Sequence, residues 1–122
     1  EEFRSIIEKY IREAGLESKI RLHIGPAVNI LPAIKEEFDL VFIDADKENY
    51  SVYYDLVFPR VKQGGYIIAD NVLWSGKVLN SAMKMDKETL SLYEYSRKVH
   101  SDSRVEKVLL PLRDGLLIAR KK

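Results

Sequence analysis

Cysteine is absent from all 122 residues. That absence removes disulfides, thiolate metal sites and cysteine nucleophiles together. No apolar run approaches the roughly 20 residues of a membrane-spanning helix, and no signal-peptide pattern opens the chain. An excess of one charge is missing too. Twenty Lys and Arg stand against 19 Asp and Glu, a formal net charge of +1. Nothing in that balance calls for nucleic acid or an anionic membrane as a partner. A cytoplasmic setting is the default expectation. The two histidines, His23 and His100, have no partner at metal-ligand spacing and read as structural. Internal repeats and low-complexity segments are absent as well.

What remains is a chain with the composition of an ordinary globular protein. At this length it buries roughly two-thirds of its unfolded surface, enough for a core. Residues 1–122 are therefore read as a single domain, or part of one. Phe3, Ile6, Ile7, Tyr10, Ile11 and Ala14 recur at helical spacing from the first residues on, and Gly15 is a natural stop. A helix with nothing before it suggests a fragment whose upstream part lies elsewhere. "KIRLHIG" alternates through Ile20, Leu22 and Ile24 and predicts a strand. "AVNILPAIKEE" predicts a short helix, with Pro32 tolerable only near its first turn. Leu40–Ile43 and Tyr66–Ala69 read as buried strands, the second entered through a turn at Gly64–Gly65. Tyr50, Tyr54, Val57, Phe58 and Val61 mark a helical face disturbed by Pro59. Residues 75–85 look irregular, and Asp86 is placed to cap the helix after them. Two last strands, Val105–Leu110 and Leu116–Ala119, join through Arg113-Asp114-Gly115, a hairpin signal. Strands alternating with helices predict an α/β sheet, mostly parallel, with one antiparallel strand from the closing hairpin.

The chemistry gathers at two strand ends. "EFDLVFIDADKENY" runs from apolar residues into Asp44, Asp46 and Lys47, and "GGYIIADNVLW" ends in Asp70 and Asn71. Ligands of open α/β sheets collect at the carboxyl ends of the parallel strands. On neighbouring strands about 4.8 Å apart, the oxygens of Asp44, Asp70 and Asn71 share one coordination sphere. Such hard ligands suit Mg²⁺, Ca²⁺ or Mn²⁺. Taken singly, an Asp or Asn there is a turn-former bonding its own backbone. Only the pair of strands argues for a site. Lys47, three residues past Asp44, becomes a candidate base if a nearby metal and partial burial favour its neutral form, and otherwise is a solvated surface lysine. Trp74 either walls a pocket for a flat substrate or sits in the core.

"FDLVFIDADKENY", "GGYIIADNVLWSGKV" and "LLPLRDGLLIARKK", in this order and spacing, resemble the metal-dependent, S-adenosylmethionine-dependent O-methyltransferases. These are the caffeoyl-coenzyme A type, with catechol O-methyltransferase more distant. The resemblance implies a Rossmann-like methyltransferase sheet, with this chain its C-terminal part. It implies S-adenosylmethionine and a divalent metal, Mg²⁺ or else Ca²⁺ or Mn²⁺, as cofactors. Asp44, Asp70 and Asn71 then match the metal ligands and Lys47 the base. Ala27, Asp46 and Tyr53, with Asp44 close by, fall where the methyl donor is held. Trp74 falls at the pocket for a small aromatic acceptor carrying a vicinal diol, and residues 75–85 at the segment that tunes acceptor choice. The departure is that the family's first two strands and glycine-rich turn have no counterpart, because the six glycines form no G-x-G cluster after a strand. With those strands missing between "KIRLHIG" and "FDLVFIDA", either these two close up directly or a second copy covers the edge in a homodimer. Two other readings stay open. One is Mg²⁺-dependent phosphoryl transfer on Asp44 and Asp46; the other is a half-domain without turnover.

Overall fold

The computed structural model describes residues 3–122, which divide into two compact units that meet in sequence between residues 33 and 34. The N-terminal unit carries α1 (Arg4–Glu13) and α2 (Ala27–Ile30), α2 running into a tight turn at Leu31–Ala33. Gly15 ends α1 with φ +65°, and the Leu16 N–H reaches back to the Ile11 carbonyl. That is the left-handed stop which glycine adopts without strain. The expected first two helical residues lie outside those described. α2 is shorter than its apolar pattern suggested, because Pro32 cannot donate the hydrogen bond a longer helix needs there.

"KIRLHIG" does not form the expected strand. Residues 20–24 have no regular structure, and the described residues of this unit form no strand. Alternation supplies a face for a strand, but pairing makes one, and nothing in the N-terminal unit offers a partner edge.

In the C-terminal unit, β1 (Phe38–Ile43), α3 (Tyr50–Val57), β2 (Val61–Asp70), α4 (Lys87–Ser101), β3 (Val105–Leu110) and β4 (Leu116–Lys121) follow in order. The strands lie as β1-β2-β4-β3. β1 and β2 are parallel, while β2/β4 and β3/β4 are antiparallel. The described sheet is thus mixed rather than mostly parallel, since only β1 and β2 are joined by a helical crossover. β2 starts earlier than expected, at Val61. Gly64 and Gly65 lie within it at a register irregularity rather than in a turn before it. A Cβ on Gly65 would come within 2.9 Å of the Lys62 carbonyl oxygen, so the bend requires glycine.

One face of this sheet is core. Ile43, Ile67, Ala69, Leu117 and Ala119 are buried together with Tyr50, Tyr54, Leu92, Tyr95 and Val99 of α3 and α4. The other face is bare at Leu40 and Phe42, which are 54% and 55% exposed, so β1 is buried on one face only. Both helices of the unit belong to the opposite side, and β1 is an edge strand. Asp86 caps α4 as its sequence position implied, accepting from the Thr89 N–H at 2.8 Å. Among the described residues no helix is long and apolar enough to cross a membrane.

At the far end of α4, Asp102 ties three elements together. It accepts from the Tyr54 hydroxyl at 3.0 Å and from the Arg104 guanidinium at 2.9 and 2.7 Å. The Arg104 hydrogen bonds hold its carboxyl far below the usual range, against the effect of its partial burial. A carboxyl lowered on folding stabilises the folded state above its unfolded pKa, near 4, and loses that contribution as the pH falls further. Asp102→Asn should therefore lower stability at pH 7 by about 1–2 kcal/mol, the exposed arginine keeping the figure modest. Urea denaturation of both proteins from pH 7 to pH 3 checks this: the difference should shrink on acidification. A gap constant with pH would remove the ionised carboxylate from the account.

Candidate active site

The register that pairs Ile43 with Ala69 carries the chain one residue further to Asp44 beside Asp70, at the carboxyl ends of two parallel neighbours. The two strands expected to be neighbours are so, and their ends frame the site. Lys47 stands at its centre, only 8% exposed. Its Nζ donates to Asp44 Oδ1 at 3.3 Å, to the Tyr50 hydroxyl at 2.7 Å and to Asn71 Oδ1 at 3.0 Å. Three acceptors meet the three protons of an ammonium. The ring centroids of Tyr50 and Trp74 lie 4.9 and 5.5 Å from the same nitrogen.

Burial alone would lower the pKa of Lys47. The contacts with Tyr50 and Asp44 outweigh burial and hold it above the usual lysine range. The expected bias toward the neutral form is therefore not what this chain's own residues produce. Charge-accepting neighbours win because all three donors are satisfied.

Asp44 and Asn71 thus present oxygens to one positive charge, a donor set whose chemistry fits a hard divalent cation. Asp70 stands differently. Its Oδ1 accepts from the Asn71 N–H at 2.6 Å, which leaves its second oxygen as the donor available to a ligand. Among the described residues no three or more His, Cys, Asp or Glu side chains cluster tightly enough to hold a metal. The Asp70–Asn71 bond also fixes a bend, for Asn71 has φ +59°, a conformation Asn tolerates better than most residues.

Asp46 and Tyr53 are brought together, the phenol donating to the carboxylate, with the Asn49 amide donating to its other oxygen. Burial would raise the Asp46 carboxyl, but these two donors pull it below the usual range. Burial and the carboxylate push the Tyr53 hydroxyl up to about 12. The result is a fixed anion at the start of α3. Ala27 opens α2 in the other unit.

Trp74 begins a contorted segment. Trp74, Ser75 and Gly76 have φ of +46°, +54° and +78° in succession. Such residues persist where the surroundings over-determine them. Here the closing hairpin does so: the Leu73 N–H donates to the Asp114 carbonyl at 2.9 Å, the Val72 N–H to the Gly115 carbonyl at 3.2 Å, and the Ser75 N–H to the Asp114 carboxylate. The segment expected to be irregular is kinked at Ser75 and Gly76 and carries short tight turns, the last of them at residues 82–84. The Trp74 indole N–H is buried with no hydrogen-bond partner among the described residues.

Tyr50 was missed as a site residue, although its i, i+3 spacing from Lys47 was the available signal. Asp114 and Gly115 were read as a turn only, because the segment they brace lies some 40 residues away.

The sequence profile of the O-methyltransferase family matches residues 1–122. The chain belongs to the O-methyltransferase family. A caffeoyl-CoA O-methyltransferase of Populus trichocarpa is 35% identical, across 91% of this chain and 49% of its own length. One from Eucalyptus globulus is also 35% identical, with the same coverage. The chain spans about half the length of these curated relatives. Among solved structures, the O-methyltransferase from Bacillus cereus in complex with SAH superposes with a TM-score of 0.91 at 27% identity, covering 100% of this chain and 59% of that one. An SAH-bound methyltransferase from Podospora anserina gives 0.81 at 28% identity, covering 94% of this chain and 54% of that one. This O-methyltransferase chain therefore carries the Rossmann-like methyltransferase architecture, and phosphoryl transfer on Asp44 and Asp46 loses its footing.

Proposed function

We propose that this chain serves methyl transfer from S-adenosylmethionine to one hydroxyl of a vicinal diol on a small aromatic acceptor. The observation that carries the reading is the convergence of Asp44 and Asn71 on Lys47, at the carboxyl ends of β1 and β2. The SAH bound by solved relatives supports the donor, and the caffeoyl group named for the curated ones supports the acceptor class.

S-adenosylmethionine supplies an electrophilic methyl on a positively charged sulfur. Asp44, Asp70 and Asn71 would hold a divalent cation, whose charge would favour the ionised diol and the neutral form of Lys47, its proton passing to solvent. Lys47 is placed to take the acceptor's hydroxyl proton. The ionised oxygen then forms a bond to the methyl carbon as the carbon–sulfur bond breaks, its electron pair passing to sulfur. Asp46 and Tyr53, with Ala27, are assigned to the methyl donor. Asp46 offers it a fixed negative charge. Trp74 is assigned to the acceptor as a flat wall. The partner surface we propose is a second copy, covering the bare β1 edge in a homodimer.

A methyl-transfer assay on the complete protein, with labelled S-adenosylmethionine and a catechol acceptor, tests the reading. Transfer should require Mg²⁺ or Mn²⁺, stop with chelator and fall at least about 100-fold in Asp70→Ala. A monohydroxy analogue should be a poor acceptor. Metal-independent turnover would remove the cation from the site, and no transfer to any diol would favour a half-domain without turnover.

A further inference from the structure

Tyr50 is fully buried, at the start of α3, and its hydroxyl does two things. It accepts from Lys47 Nζ at 2.7 Å and donates its only proton to the backbone carbonyl of Asp70 at 3.1 Å. Because that proton is committed to Asp70, the oxygen faces Lys47 as an acceptor. This is the shortest of the ammonium's three hydrogen bonds. The carbonyl it holds belongs to the last residue of β2, directly before the left-handed bend at Asn71 that turns Oδ1 onto the same ammonium. One hydroxyl thus links the lysine that follows β1 to the bend that ends β2. The Ala45 backbone also bonds to this oxygen, while packing in this core asks only for an aromatic ring. Tyr95, edge-on to Tyr50 at 5.5 Å, has a buried hydroxyl with no hydrogen-bond partner among the described residues.

We propose that Tyr50 is a positioning residue, whose hydroxyl fixes the Lys47 side chain and the Asp70–Asn71 bend in one relative geometry. It touches neither donor nor acceptor and acts through Lys47. Its consequence for turnover rests on the methyl-transfer reading; its hold on Lys47 does not. A lysine with four rotatable bonds points its nitrogen reproducibly only when something beyond an exposed carboxylate restrains it. Small misplacements of a reacting group are costly in rate, of order a hundredfold for about an ångström.

Tyr50→Phe and Tyr95→Phe each delete one buried hydroxyl and keep the ring, so they form a matched pair. In ¹⁵N-labelled chain, the Lys47 ammonium should give a slowly exchanging ¹⁵N–¹H signal, protected by its three acceptors. The signal should survive Tyr95→Phe and vanish in Tyr50→Phe. In the complete protein, Tyr50→Phe should lower kcat about tenfold or more, with KM for donor and acceptor within twofold, while Tyr95→Phe stays at the wild-type rate. In a Lys47→Met background, Tyr50→Phe should add no further loss, as expected of a residue acting through Lys47. A Lys47 signal that persists in Tyr50→Phe, a kcat within twofold of wild type, or losses that add in the double variant would each overturn the proposal. So would a Tyr50→Phe chain that fails to fold while Tyr95→Phe folds, because the hydroxyl would then belong to stability alone. If the wild type transfers no methyl group, the functional reading fails, and the ammonium signal still decides the claim about Tyr50.

Discussion

Replacing Lys47 with methionine should lower kcat by at least about 100-fold while leaving the chain folded. Methionine keeps the length and the apolar stem, so packing against Tyr50 and Trp74 persists. What disappears is the ammonium that meets Asp44 and Asn71, and with it the proposed base. Lys47→Arg separates two ways in which the loss could arise. Arginine preserves positive charge but cannot accept a proton in a protein. If Lys47 takes the hydroxyl proton, the arginine variant falls as far as the methionine one. An arginine variant within tenfold of wild type would show that the site uses charge alone, and would take the base role from Lys47. The experiment bears on a real tension. The residues around Lys47 hold it as an ammonium, above its usual pKa, whereas proton transfer needs it neutral in the working site.

The sheet was legible wherever a pattern and its partner lie within the same stretch of chain. β3 and β4 announce themselves through a two-strand pattern and the Arg113-Asp114-Gly115 turn. The cap at Asp86 is local as well, and so is its bond to Thr89. The meeting of Asp44 with Asp70 needed one further step, that two buried runs joined by a helix are parallel neighbours, and the register bears that out. Where the partner was distant, pattern misled. Ile20, Leu22 and Ile24 alternate as a strand should, yet no edge is offered to them in their own unit. Leu40 and Phe42 read as buried because they are apolar, although one side of an edge strand can remain bare. Tyr50 escaped notice because an aromatic on a helical face is adequately explained by packing, and only coordinates reveal that its hydroxyl is spoken for at both ends.

The geometry of the Trp74 segment was the least legible part of all, and it yields the second large effect. Gly115→Ala should destabilise the chain by about 2–4 kcal/mol. Two costs combine there. The residue has φ +87°, where an L side chain costs on the order of 1 kcal/mol. The new Cβ would also stand 2.5 Å from Leu73 Cγ and 3.2 Å from its Cβ, a clash with a branched side chain held by its own backbone bond to Asp114. Relief requires Leu73 to move, and Leu73 leads directly into Trp74. The same substitution should therefore loosen the left-handed run at Trp74–Gly76 and raise the KM of the acceptor more than that of the methyl donor. Arg113→Gly gives the contrast of sign. Its φ is +51°, so glycine relieves strain in the same turn without touching Leu73. Urea midpoints of the two variants should move in opposite directions, Gly115→Ala downward by far the more. A Gly115→Ala variant within about 0.5 kcal/mol of wild type would mean that the turn yields freely. In that case the closing hairpin does not brace the segment that carries Trp74.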